Sequence, residues 1–129
     1  MSRDLIFLTM AEVVDFHTRL LEQFGGQAGI RDTGLLQSAL AMPAQQFGGE
    51  YLHPDLASMA AAYLFHLCRN HPFLDGNKRI AATVARVFLL ANDATFDPPE
   101  DEYCELVLGV ARGEIDKEGI AQFIRRFLK

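Results

Sequence analysis

From Asn77 to about Ala91 the chain places Ile80, Ala81, Ala82, Val84, Ala85, Val87, Phe88, Leu89 and Leu90 around nearly the whole circumference of a helix. A helix apolar on all sides must be covered on all sides, so this segment predicts a bundle in which other helices surround it. The rest of the chain supplies them at a spacing of three and four. Thr9 followed by Glu12 forms a capping box for a first helix. Met10, Val13, Val14, His17, Leu20, Leu21 and Phe24 share one of its faces until Gly25 and Gly26 end it. Asp32 caps a second helix, with Leu35, Leu36, Ala39 and Leu40 inward, that stops before Pro43. A third runs from about Asp55 to about Asn70, with Leu56, Met59, Ala60, Tyr63, Leu64 and Leu67 on one side. Asp97 or Pro98 opens a fifth with Tyr103, Leu106, Val107 and Val110 inward. Asp116 caps a sixth with Ile120, Phe123, Ile124 and Phe127 inward. The expectation is an all-α bundle of about six helices around a central apolar helix, with residues 43–54 as a loop.

A chain of 129 residues, half of them apolar, suits one domain spanning 1–129 with a real core. Seventeen acidic against twelve basic residues leave a net charge of −5, the reverse of what a duplex-binding protein needs. Nucleic acid is therefore not expected as a direct partner. Residues 1–8 lack the apolar core of a signal peptide, and no later run approaches the roughly 20 apolar residues of a membrane span. These features predict a soluble, cytoplasmic protein without a membrane partner. Cys68 and Cys104 have no second ligand at zinc spacing and read as buried thiols.

The segment His71-Pro72-Phe73-Leu74-Asp75-Gly76-Asn77-Lys78-Arg79 departs from the habits of a structural helix start. Lys78 and Arg79 stand in the first turn, where the exposed N–H groups already carry about half a positive charge and each added cation costs roughly 0.3–1 kcal/mol. An anion makes sense of the arrangement. Gly76 lets the backbone approach closely, the free N–H groups point outward, and the two cations neutralise what remains, so phosphate is the natural ligand. Asp75 beside such a turn suits Mg²⁺, which takes one or two protein oxygens and completes its shell with phosphate and water. His71 can accept a proton near neutral pH, and Pro72 is expected to hold its backbone extended. Taken singly, Asp75-Gly76 reads as an ordinary turn and His71 as a loop histidine. Together they form a base, a metal ligand and an anion hole, a set sufficient for phosphoryl or nucleotidyl transfer.

The segment resembles the signature of the Fic/Doc (Fido) family, His-x-Phe-x-Asp/Asn-Gly-Asn-Gly/Lys-Arg, at His71, Phe73, Asp75, Gly76, Asn77, Lys78 and Arg79. The stretch Arg31-Asp32-x-Gly34-Leu35-Leu36 and the small helical layout extend the likeness. Lys78 where Fic nucleotidyltransferases carry Gly, and Ala82 where they carry a second Arg, resemble the Doc, or death-on-curing, toxin branch. That resemblance implies a kinase that presents the γ-phosphate of ATP to a target Ser or Thr, with translation elongation factor Tu as the expected substrate and a Phd-type antitoxin as the expected partner. It implies His71 as general base and Asp75 as Mg²⁺ ligand. Gly76 and Asn77 would line the anion hole through backbone and amide groups, and Lys78 and Arg79 would grip the phosphates. Phe73 would be structural, and residues 43–54 would correspond to the flap that docks the target. Built-in inhibition is not expected, because Thr18, Glu22 and Gln23 are a poor match to the inhibitory motif and Ala82 replaces the arginine it needs. Transfer of AMP to a hydroxyl, or a binding module without catalysis, are the alternatives.

Other residues carry weaker signals. His66 could approach the site from the third helix, His17 belongs to the core or to a partner-facing groove, and His53 reads as loop structure. Nine carboxylates against two cations between Asp93 and Glu118 read as a solvated face. Arg69, Lys78, Arg79 and Arg86 against Asp75 leave a local positive excess around the motif.

Overall fold

A computed structural model describes residues 4–129, so Met1, Ser2 and Arg3, the start of the segment read above for a leader, lie outside the described residues. The order is α1 (Met10–Phe24), α2 (Thr33–Ala41), β1 (Gln46–Phe47), β2 (Glu50–Tyr51), α3 (Leu56–Asn70), α4 (Asn77–Ala91), α5 (Glu100–Ala111) and α6 (Lys117–Phe127). Six helices make an all-α bundle, as the apolar spacing predicts. Four begin where a side chain caps them. The Thr9–Glu12 capping box is closed in both directions, and Asp32, Asp55 and Asp116 accept from the N–H groups of Leu35, Ser58 and Gly119. α5 starts later than expected, at Glu100 behind Pro99.

α4 shares the centre with α3, which packs against α2, α4, α5 and α6. Ala57, Ala60, Ala61 and Ala62 on α3 are buried, and small side chains let neighbouring helices close on several sides. α4 buries Ile80, Ala81, Val84, Ala85, Phe88 and Leu89, but Leu90, expected inward, is 73% exposed. Cys68 is buried as expected, whereas Cys104 is exposed. It sits one position off the inward row of Tyr103, Leu106, Val107 and Val110 on α5. No helix among the described residues is long and apolar enough to cross a membrane.

The expected loop 43–54 contains a small antiparallel hairpin pairing Gln46 with Tyr51 and Phe47 with Glu50. Gly48 and Gly49, at φ 60° and 83°, form the two-residue turn, a conformation that glycine adopts without steric cost. Strands of two residues carry no alternation long enough to read, which is why the helical pattern hid them.

His53 and His66 are not brought to the motif. Both turn toward Lys117 at the start of α6, with Nζ 3.1 Å from Nε2 of His66 and 3.5 Å from Nε2 of His53. Burial, then the Lys117 charge, push His66 down to about 4. In the unfolded chain a histidine titrates near 6.5, so the unfolded state takes up a proton that the folded state refuses. Stability from this site is whole above about pH 6.5 and drains as pH falls toward 4. With the ring only partly buried and partly screened by solvent, the loss is on the order of 1–2 kcal/mol. Thermal melts at about pH 7 and 4.5 are expected to show a shallower fall in Tm for His66→Gln than for the wild type; parallel falls would refute the assignment.

Candidate active site

The end of α3, the turn 71–76 and the start of α4 form one side of a cleft of about 620 Å³. Leu20 and Phe24 of α1 and Glu100, Tyr103, Cys104, Val107 and Leu108 of α5 line the rest, and His71, Asp75, Gly76, Asn77, Lys78 and Arg79 all border it. The structure thus brings the candidate chemical residues of the motif to one place, with Phe73 beneath them in the core. No residue of the 46–51 hairpin lines the cleft.

The start of α4 differs from that of the side-chain-capped helices. Its N-cap is Gly76, left-handed at φ 77° and ψ 19°, and no side chain caps it. The N–H groups of Asn77, Lys78 and Arg79 consequently have no partner within the helix. Lys78 and Arg79 are exposed, and among the described residues no carboxylate forms an ion pair with either. The Arg79 guanidinium instead lies 4.2 Å from the centroid of the Phe24 ring. That contact explains why Phe24, expected inward, is half-exposed at the end of α1. The wider positive cluster does not persist. Arg86 pairs with Glu100 at 2.9 Å and covers Tyr103, while Arg69 donates to the carbonyl of Val110. Only Lys78 and Arg79 of the four face the cleft.

Asn77 plays a different part from the one the resemblance implies. Its side chain is 4% exposed; Oδ1 accepts from the Phe73 N–H and Nδ2 donates to the Phe73 carbonyl, both at 2.9 Å. The amide is therefore committed to shaping the turn, and only the backbone N–H of Asn77 remains for an anion. Phe73 is buried and stacked on His17, structural as expected.

His71 is exposed and sits in the left-handed region at φ 53°, ψ 53°, not in the extended conformation expected before Pro72. It ends α3 as a left-handed cap, a conformation that is costly for a residue with a Cβ and is maintained by its surroundings. Arg31 supplies much of that maintenance. Its Nε donates to the carbonyl of His71 at 2.6 Å, Nη2 donates to that of Asn70 at 2.8 Å, and its backbone N–H donates to that of Pro72 at 2.7 Å. A guanidinium on the last carbonyls of a helix also complements its dipole. In the sequence, the only local signal for this role of Arg31 is its position directly before the Asp32 cap.

Asp75 is held by the same neighbouring strand of chain. Oδ2 accepts from the N–H of Gln27 at 3.0 Å and Oδ1 from that of Gly76 at 2.9 Å. These two bonds, Gln27 first, hold its carboxyl below the usual range and keep it ionised, although it is exposed. Gly26, at φ 126°, is required there, because a Cβ would stand 2.8 Å from Oδ2 of Asp75. Each oxygen retains lone-pair capacity, so this single ionised carboxylate fits a Mg²⁺ that arrives with phosphate oxygens. Among the described residues no group of three or more His, Cys, Asp or Glu gathers as a self-sufficient metal site.

Comparison with known proteins places the chain in a family. A family model described as "Fic/DOC family" matches residues 7–89. A protein named Toxin Doc from Mycolicibacterium smegmatis is 40% identical over 110 residues, covering 81% of this chain and 82% of the relative. A protein named Protein kinase doc from Escherichia phage P1 is 33% identical over 116 residues, covering 89% and 90%.

Proposed function

The chain belongs to the Fic/DOC family, and from that premise we propose that it is a Doc-type toxin that transfers the γ-phosphate of ATP to a Ser or Thr hydroxyl of translation elongation factor Tu. An antitoxin is its proposed partner, in keeping with the name of the Toxin Doc relative, and the resemblance to the Doc branch favours one of the Phd type. The observation that carries the reading is the uncapped start of α4, with two unpaired cations above it in a cleft that also holds His71 and Asp75. Phosphoryl transfer asks mainly for positioning and charge stabilisation, which this arrangement supplies.

ATP phosphates would rest on the N–H groups of Asn77, Lys78 and Arg79, with the two side chains neutralising them from above. Lys78 fills space that a glycine would leave open and adds a point charge there, favouring the γ-phosphate over the α-phosphate at the target hydroxyl. His71, at the rim, takes the hydroxyl proton as the oxygen attacks phosphorus and the bond to the β-phosphate oxygen breaks, releasing ADP. Asp75 would hold the Mg²⁺ that accompanies ATP, which when bound offsets phosphate charge.

Incubating the protein with Mg²⁺, elongation factor Tu and either γ-labelled or α-labelled ATP is expected to label the factor from the γ position alone. Label arriving from the α position would replace the kinase reading with nucleotidyl transfer. Neither label on the factor, with self-consistent ATP binding, would remove elongation factor Tu as substrate.

A further inference from the structure

His17 stands on α1 and does not line the cleft, so nothing in the chemistry above uses it. Its ring is 4% exposed and lies almost parallel to Phe73, 3.8 Å between centroids at 11°. Nε2 is 2.8 Å from the carbonyl oxygen of Asp75. A carbonyl only accepts, so Nε2 carries the hydrogen and donates it. Packing alone asks for an apolar ring here. A buried imidazole that commits its N–H to one backbone carbonyl fixes the direction of that carbonyl.

The carbonyl belongs to the peptide unit joining Asp75 to Gly76. The N–H of the same unit donates to Oδ1 of Asp75 at 2.9 Å, so both polar ends of one peptide plane are held. Gly76 then turns the chain into α4, and the three free N–H groups follow at once. With no side-chain cap to orient that first turn, its direction is set by the plane before it. We propose that His17 is a positioning residue for phosphate binding: through Nε2 it locks the Asp75–Gly76 peptide and so aims the N–H groups at the start of α4. The inference rests on the kinase reading only for the identity of the phosphate as part of ATP.

The test compares His17→Met with His17→Gln, side chains of similar length that differ in carrying an N–H donor; His17→Phe replaces Met if that variant fails to fold. Inorganic phosphate is titrated into the ¹⁵N-labelled full chain while the amide signals of residues 76–79 are followed, and KM for ATP is measured separately. Loss of one orienting hydrogen bond is expected to weaken phosphate binding and raise KM about tenfold in the Met variant. The Gln variant should stay within about threefold of wild type, because the donor is restored. Equal phosphate affinity in the Met variant and the wild type would overturn the role of His17, as would equal impairment of Met and Gln. A wild type that binds phosphate at 76–79 but phosphorylates no protein would overturn the kinase reading and leave His17 in place.

Discussion

Alanine at His71 is expected to lower kcat for phosphoryl transfer by roughly 10²- to 10⁴-fold, the usual contribution of a positioned general base. The affinity for ATP should change little, since the phosphate seat consists of α4 N–H groups, Lys78 and Arg79, none of which depends on the imidazole. A fall in kcat with KM held is the pattern of an interaction made only in the transition state. The fold should survive as well, because Arg31 bonds the backbone carbonyls of Asn70 and His71 and not the ring. His71→Asn is the sharper variant: asparagine tolerates the left-handed backbone that this position requires, so the two variants separate lost chemistry from backbone strain. Initial rates with γ-labelled ATP, alongside nucleotide titration, provide the measurement. Full activity in His71→Asn would remove His71 from the chemistry.

The second large effect concerns stability. Asn77→Leu should destabilise the protein by roughly 2–5 kcal/mol, because the buried N–H and carbonyl of Phe73 both lose their partner and each such orphan costs about 1–3 kcal/mol. In a domain of this size that corresponds to a fall in Tm on the order of 10 °C. Asn77→Asp retains one of the two bonds, the one from the Phe73 N–H, and should fall between leucine and wild type. Calorimetric melts of the three proteins decide the matter. If leucine melts with the wild type, the amide is not holding the turn, and its place in the phosphate seat must be reconsidered.

Much of the architecture was readable because its causes are local. Thr9, Asp32, Asp55 and Asp116 each announce a helix within three residues of chain, and the structure places a cap at every one. The cleft was readable for a related reason: a cation pair in the first turn of α4 violates a local rule, and the violation marks the site. What escaped depends on distant chain. The left-handed backbone of His71 contradicts the preference imposed by Pro72 and exists because Arg31 secures the carbonyls around it. His17 looked like one more member of an apolar stripe, since its partner is a carbonyl 58 residues away. The resemblance implies an anion-hole role for the Asn77 amide, but the buried N–H and carbonyl of Phe73 claim that amide. Gly48-Gly49 did carry a hairpin signal, outweighed by the helical periodicity on both sides.

The connector between α1 and α2 lies alongside the turn 71–76, with Ile30 bridging Phe73, Leu74 donating to Gly29, and Gln27 and Arg31 reaching Asp75, His71 and Asn70. The side-chain bonds among these, with the one from His17, join residues 39 to 58 positions apart. Contacts of that span form late, after neighbouring helices have found one another, so α3 and α4 can pair while the turn between them still lacks its working shape. The same dependence runs in reverse in the native state. A local opening that lifted α1 and its connector away would release the turn without requiring the packing of α3 on α4 and on α6 to open. For a cleft that transfers phosphate as proposed, competence would then depend on α1 and its connector as well as on the core, and an agent that loosens α1 would silence the protein without unfolding it.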